Sequence, residues 1–194
     1  MKSDNFVGRY FRRAGEWADG KFPFLRTILL LILLVIWIRH LRDFHYASIF
    51  DGLNLGIHEL GHFVFNLFGR FIMMAGGTIL QLLVPLIGMV MFYRQEDHFA
   101  IAVAFGWLAT NFYDIAPYVA DARSMSLPLV TPFGVEGYHD WNYLLGELVI
   151  LGWDRGLASL ARILAFISMT ICLAYGGWLV ARMWKSFRLP KFEE

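Results

Sequence analysis

The sequence predicts an all-α, polytopic helical membrane bundle, and three observations carry that prediction. Hydrophobic residues make up 58% of the chain and charged residues only 17%, against roughly 25% charged in an ordinary soluble domain. The apolar residues fall in long runs, several of them near the ~20 residues that a spanning helix needs. Charges are almost absent inside those runs. This composition excludes a disordered chain, which needs low hydrophobicity and high charge. The net charge of +1 gives no reason to expect a nucleic-acid partner. A single cysteine, Cys172, lies in an apolar run and excludes an internal disulfide or a multi-cysteine metal site.

Three regions are expected: an interfacial helix or tail at 1–21, a single transmembrane domain at 22–184, and a basic tail at 185–194. Phe6, Val7, Tyr10, Phe11, Ala14 and Trp17 recur at helical spacing with arginines between them, as in a helix lying in the membrane interface. No small-residue cleavage site follows the first apolar run, so a signal peptide is not expected. The first run, 22–38, carries only Arg26. The second, 47–68, carries Asp51, His58, Glu59 and His62. The third, 71–93, has no charge, and the fourth, 99–120, has only Asp114. A short segment at 141–153 carries Glu147, and the run at 163–181 is uncharged. This reading predicts about six transmembrane segments, five full and one short or half-membrane helix near Trp141.

With six spans both termini lie on one side. Lys2, Arg9, Arg12, Arg13, Lys21 and Arg26 at one end of the chain, and Arg182, Lys185, Arg188 and Lys191 at the other, put that side in the cytoplasm by the positive-inside rule. Arg70 and Arg123 join them on this topology.

The chemistry is concentrated in His58-Glu59-Leu60-Gly61-His62. On a helix, positions i and i+4 share one face, so two imidazoles can reach one tetrahedral zinc while the intervening Glu59 serves as general base on a metal-activated water. Ionisable groups at membrane depth cost about 2.5–3.5 kcal/mol each on insertion scales. Three of them within five residues need a compensating partner, and Zn2+ is the expected one. A purely structural polar cluster between helices is the bland alternative. Asp51 and Asn54 share the stripe of His58 and His62 and either orient His58 or cap the helix.

A catalytic zinc has three protein ligands, and the candidates for the third are Asp114, Asp121, Glu136, His139, Asp140 and Glu147. Gly76 and Gly77 with Gln81 interrupt the apolar run at 71–93. They either flank an extended substrate backbone or serve helix packing. Asn111, one turn before Asp114, belongs with Asp121 to a polar stripe facing the bundle interior and joins Gly76, Gly77 and Gln81 as a candidate substrate-binding residue.

The motif at 58–62 in a membrane helix, followed by Gly76-Gly77-Thr78-Ile79-Leu80-Gln81 in the next apolar run, resembles the site-2 protease group of intramembrane zinc metalloproteases, the M50 class. The resemblance covers roughly residues 50–145. It implies a helical membrane bundle that hydrolyses peptide bonds within the bilayer, with His58 and His62 as zinc ligands and Glu59 as catalytic base. It also implies a small, divergent member. The second motif has Gly-Gly and Gln81 where the family has Gly-Pro and Asn, and the family's Leu-Asp-Gly is absent. The stretch His139-Asp140-Trp141-Asn142-Tyr143-Leu144-Leu145 is similar to the corresponding part of small M50-like proteins and makes Asp140 the favoured third ligand, with Asp114 the alternative. CAAX-type zinc proteases share the first motif but use a later Glu-x-x-x-Asp helix that this chain lacks.

The function expected is therefore zinc-dependent hydrolysis of a membrane protein or peptide. The competing expectation is a non-catalytic metal-binding scaffold or divalent-ion carrier. Oligomeric state is not legible.

Overall fold

The computed structural model describes residues 5–128 and 139–187. These residues form seven α-helices and two short 3-10 turns, with no strand among them. The helices are α1 (Phe6–Ala18), α2 (Phe24–Arg42), α3 (Asp51–Phe65), α4 (Arg70–Arg94), α5 (His98–Ala120), α6 (Asp140–Glu147) and α7 (Asp154–Phe187).

Four segments are long and apolar enough to cross a membrane: α2, α4, α5 and the run Leu151–Phe187 that contains α7. The expected count of about six is not reached. At 15 residues α3 is about 22 Å long at 1.5 Å per residue, short of the ~30 Å hydrocarbon core. The apolar run at 47–68 is cut at its start, where Ser48 donates to the Asp51 carboxylate through both its amide (2.9 Å) and its hydroxyl (2.7 Å). It is cut at its end by the turn Asn66–Phe68 and by Gly69 at φ 87°. The segment near Trp141 is an eight-residue helix, the shorter of the two forms anticipated for it.

The central element is α5, with 67% of its apolar stretch buried, against 22–33% for the other three long helices. It packs antiparallel to α7. The Ser168 hydroxyl donates to the Phe105 carbonyl (2.7 Å), the Tyr175 hydroxyl meets His98 Nδ1 (3.0 Å), and Arg123 Nε donates to Asp154 (2.7 Å). Lying along this pair, α2 sets Leu33 against Gly106 and Leu30 against Gly176. Its Trp37 indole donates to the Tyr113 hydroxyl at 3.0 Å. Small residues at these crossings let the backbones approach, which matters where the surrounding lipid is as apolar as the side chains.

At one end of the bundle α1 lies against the last turns of α7. Ala14, Gly15 and Ala18 are buried there, the Arg182 guanidinium reaches Asp19 at 2.7 Å, and the Gly20 amide donates to Ser186 Oγ at 2.9 Å. Arg94, at the end of α4, shares a cavity with Arg9 and Arg13 at this same end. Arg70, by contrast, sits over the Tyr143 ring of α6 at the opposite end (4.8 Å), and Arg123 is there too, bonded to the start of α7. The expected grouping of Arg70 and Arg123 with the terminal arginines is thus corrected. The cause is α3, which starts halfway along α5, where Asn54 Oδ1 accepts from the Trp107 indole (3.0 Å), and runs back toward the end that α2 has already reached.

A hairpin of α3 and α4 carries the motif. The two backbones touch at Gly61 and Gly76. A Cβ at Gly61 would collide with the Gly76 carbonyl oxygen and lie 2.8 Å from Gly77 Cα, and one at Gly76 would lie 2.8 Å from the Gly61 oxygen. Only hydrogen fits at either position. Gly56, earlier on α3, has nothing within 4 Å of an added Cβ. Gly61→Ala should lower stability in detergent by about 1–3 kcal/mol, the usual range for overpacking. Gly56→Ala should be neutral or stabilising by up to about 1 kcal/mol from helix propensity. Equal thermal-unfolding midpoints for the two variants would contradict this packing.

Candidate metal centre

The helical spacing of His58 and His62 turns both imidazoles to the same face of α3, with ring centroids 4.9 Å apart. Opposite them stands Asp140, the first residue of α6. Its Oδ2 lies 3.0 Å from His58 Nε2 and 3.2 Å from His62 Nε2. These three ligand atoms lie within 4.8 Å of one another, so the group could hold a metal ion. The expected third ligand, Asp140, is the residue the fold brings to the two histidines. His58 and Asp140 are buried, and His62 is 22% exposed at its side chain.

What fits the group to a cation is the commitment of the other ring nitrogens. His62 Nδ1 lies 2.8 Å from the Met73 carbonyl oxygen. A carbonyl only accepts, so Nδ1 carries the proton. His58 Nδ1 lies 3.0 Å from Gln81 Oε1, and the amide is held that way round because Gln81 Nε2 donates to Asp114 Oδ2 at 2.7 Å. His58 Nδ1 therefore carries its proton as well. With both Nδ1 atoms protonated, neutral rings turn both Nε2 lone pairs toward a carboxylate oxygen. Three electron-rich atoms then converge in a buried place, and only a cation or an added proton between them relieves the repulsion. Tetrahedral bonds of about 2.0–2.1 Å would set ligand atoms about 3.3 Å apart, close to the observed 3.0 and 3.2 Å.

The other anticipated residues have different places. Asp114, the alternative ligand, is one residue removed from His58, behind Gln81. Gln81 is buried and orients a ligand. Gly77 makes room for the imidazole itself, since a Cβ there would lie 2.5 Å from His58 Nε2. Gly76 is the backbone contact of the α3–α4 hairpin. Asn111 is fully buried and donates to the Trp107 carbonyl of its own helix (2.8 Å). Asp51 holds Ser48 in the turn before α3, and Asn54 binds the Trp107 indole, so orientation of His58 falls to neither. Glu147 is exposed at the end of α6, and Glu136 lies outside the described residues.

Asp121 and His139 build the support for Asp140. Burial would raise the Asp121 carboxyl, but bonds from Ser124, Leu127 and Ser126 outweigh it and hold the group well below the usual carboxylate range. This ties the turn that follows α5. His139 caps α6, its Nδ1 accepting from the Asn142 amide (3.2 Å), and its Nε2 lies 3.4 Å from Asp121 Oδ2. The Asn142 side chain donates to the Ala122 carbonyl at 2.8 Å.

Two participants escaped the sequence reading. The Tyr118 hydroxyl accepts from the Asp140 amide (3.0 Å), and its ring packs on His139 (4.4 Å) and near His58 (6.0 Å). Its position continues the stripe Asn111–Asp114 by one more turn, which is a legible signal. The Met73 carbonyl carries no such signal because it is backbone.

Glu59, next to His58 in α3, is half-buried and has no hydrogen bond or ion pair among the described residues. Comparisons with family models, with curated proteins and with solved structures give no match.

Removing the outer support while keeping all three ligands should weaken metal binding. Gln81→Leu should lower zinc affinity by about 10- to 100-fold, read by competition with a chromophoric chelator in detergent, without loss of helical content. Unchanged affinity would mean that the Asp114–Gln81–His58 chain does not set the ligand's tautomer.

Proposed function

We propose that the chain is an intramembrane metallopeptidase in which His58, His62 and Asp140 hold Zn2+ and Glu59 moves the proton. The observation that carries this reading is a convergent group of two histidines from α3 and one carboxylate from α6, with Glu59 adjoining His58 in α3 and uncommitted among the described residues. The nitrogen and oxygen donor set suits zinc, although affinity alone does not select it over neighbouring divalent ions. A zinc ion held there supplies Lewis acidity, which acidifies water and polarises a carbonyl.

The chain's own residues do the rest. Glu59 takes a proton from water as its oxygen attacks the scissile carbonyl carbon, and returns that proton to the amide nitrogen as the C–N bond breaks. Asp114 and Gln81 keep His58 in its Nδ1–H form, and the Met73 carbonyl does the same for His62. The Tyr118 hydroxyl and the His139 cap fix the approach of Asp140.

The four long apolar segments cross the bilayer, with α1 and the end of α7 together on one side. Arg9, Arg12, Arg13, Lys21 and Arg94 put that side in the cytoplasm by the positive-inside rule. The metal group then belongs to the opposite half of the bundle. Leu60, Phe63 and Val64, neighbours of the motif on α3, are 52%, 80% and 47% exposed. An apolar surface beside the reacting group suits a membrane-embedded peptide that unwinds locally. The ion-carrier alternative needs polar groups along the whole bundle. Between Asn54 and the α1 end, the crossing of α2 over α5 and α7 is packed by Leu33, Gly106, Cys172, Leu30 and Gly176, and the ionisable cluster stays in the other half, which favours a reaction site over a route.

Glu59→Gln should retain about one zinc per chain and slow cleavage of a quenched-fluorescent single-span peptide in vesicles by about 10²- to 10⁴-fold, the usual contribution of a general base. Cleavage at the wild-type rate by this variant would overturn the mechanism. Metal-dependent ion flux that survives the substitution, with no cleavage by either protein, would favour the carrier.

A further inference from the structure

The opposite end of the bundle carries a feature that metal chemistry does not use. A cavity of about 470 Å³ lies between α1 and the α4–α5 connection. Arg9, Arg13 and Arg94 line it, and Glu96 is the single acidic residue among the described residues of its lining. Arg13 and Arg94 are exposed and make no ion pair among the described residues. The floor is rigid: the Tyr10 hydroxyl bonds the Tyr175 hydroxyl at 2.9 Å, and that hydroxyl meets His98 Nδ1 at 3.0 Å.

Directly beside it runs a groove of about 360 Å³ bounded by apolar and aromatic side chains, among them Met89, Val90, Ile101 and Phe105. The two spaces share Phe6, Tyr10 and Tyr93 as common walls. The groove therefore continues from the arginine cavity along the flanks of α4 and α5, both long enough to cross a membrane.

We infer that this juxtaposition is a binding site for one anionic phospholipid, its phosphate in the arginine cavity and an acyl chain in the groove. The two halves select for an amphiphile. Guanidinium groups match phosphate oxygens with directed, charge-assisted hydrogen bonds, and an acyl chain gains nothing from them. The apolar groove in turn offers a free phosphate nothing. Arg13 and Arg94 against the one glutamate among the described lining residues leave the cavity positive, which favours a net anionic headgroup over one whose phosphate is offset by its own ammonium. Phe6, Val7 and Phe11 on α1 are 65%, 57% and 46% exposed. They set this helix at the interface, where headgroups lie. Bound lipid would cross-brace α1 to the α4–α5 connection.

The test is native mass spectrometry of the full chain released from a zwitterionic detergent, with phosphatidylglycerol, phosphatidylcholine or inorganic phosphate added. The expected result is a single phosphatidylglycerol adduct at least about tenfold tighter than phosphatidylcholine, not displaced by millimolar phosphate. Arg13→Gln with Arg94→Gln should weaken it about 30-fold, roughly fivefold for each arginine near a charged surface. Arg39→Gln with Arg42→Gln, at the far end of α2, should leave it unchanged. Val90→Trp, which fills the groove, should weaken lipid binding with both arginines present. Zinc content and melting temperature of each variant report whether the fold is intact. Equal binding of the two lipids, or an adduct unaffected by the Arg13/Arg94 pair in a folded protein, would overturn the proposal. So would inorganic phosphate that competes as well as lipid, since that would make the cavity a site for free phosphate.

Discussion

Backbone contact between α3 and α4 at Gly61, Gly76 and Gly77 decides where both histidines can point. At these positions the helices approach until no side chain fits between them. That closeness brings the Met73 carbonyl within 2.8 Å of His62 and sets the His58 ring where a Gly77 Cβ would stand. Any wider separation would leave His62 Nδ1 without its acceptor and move His58 away from Gln81. The hairpin also explains how a helix too short to cross a bilayer stays at depth. It leans on a 25-residue neighbour and is pinned to the middle of α5 through Asn54 and Trp107.

Electrostatics follow from that geometry. In a medium of low dielectric, buried polar groups are costly unless each is satisfied. The chain Asp114–Gln81–His58 satisfies its members in sequence and fixes which imidazole nitrogen carries the proton. His62 reaches the same state by a backbone carbonyl. Both rings then present bare Nε2 atoms to Asp140, which a short helix delivers from the end of α5. The cap by His139 and the bond to Tyr118 limit how α6 can move. A site built this way is prepared for a cation by hydrogen bonds lying one step behind the ligands, which is where metal sites commonly hold their specificity.

The grouping of His58 and His62, with Glu59 between them, was legible because they lie within one helical turn and a half, where spacing alone sets the face. Asp140 was reached only through the resemblance at 139–145. Nothing in local spacing links position 140 to position 58, and its delivery depends on Tyr118 and Asn142 bonding across the turn after α5. Gln81 and Gly77 were legible as unusual in an apolar run, but not as supports of His58, because that role is set by which helix packs alongside. The long helices followed from hydropathy. The count did not, since hydropathy averages over 47–68 and does not register the Ser48–Asp51 turn or Gly69, which leave α3 too short to span. One misjudged crossing then carried Arg70 and Arg123 to the wrong end of the bundle.

The central claim is a cation bound by two imidazoles and one carboxylate, and X-ray absorption at the zinc edge of the purified, zinc-loaded protein tests it most directly. The account predicts four-coordinate zinc with two imidazole nitrogens at about 2.0–2.1 Å and oxygen ligands at about 2.0–2.2 Å, one imidazole being lost in His58→Ala. A spectrum of hydrated zinc without imidazole scattering, or one unchanged by His58→Ala, would contradict it and leave His58, His62 and Asp140 as a proton-bridged packing cluster.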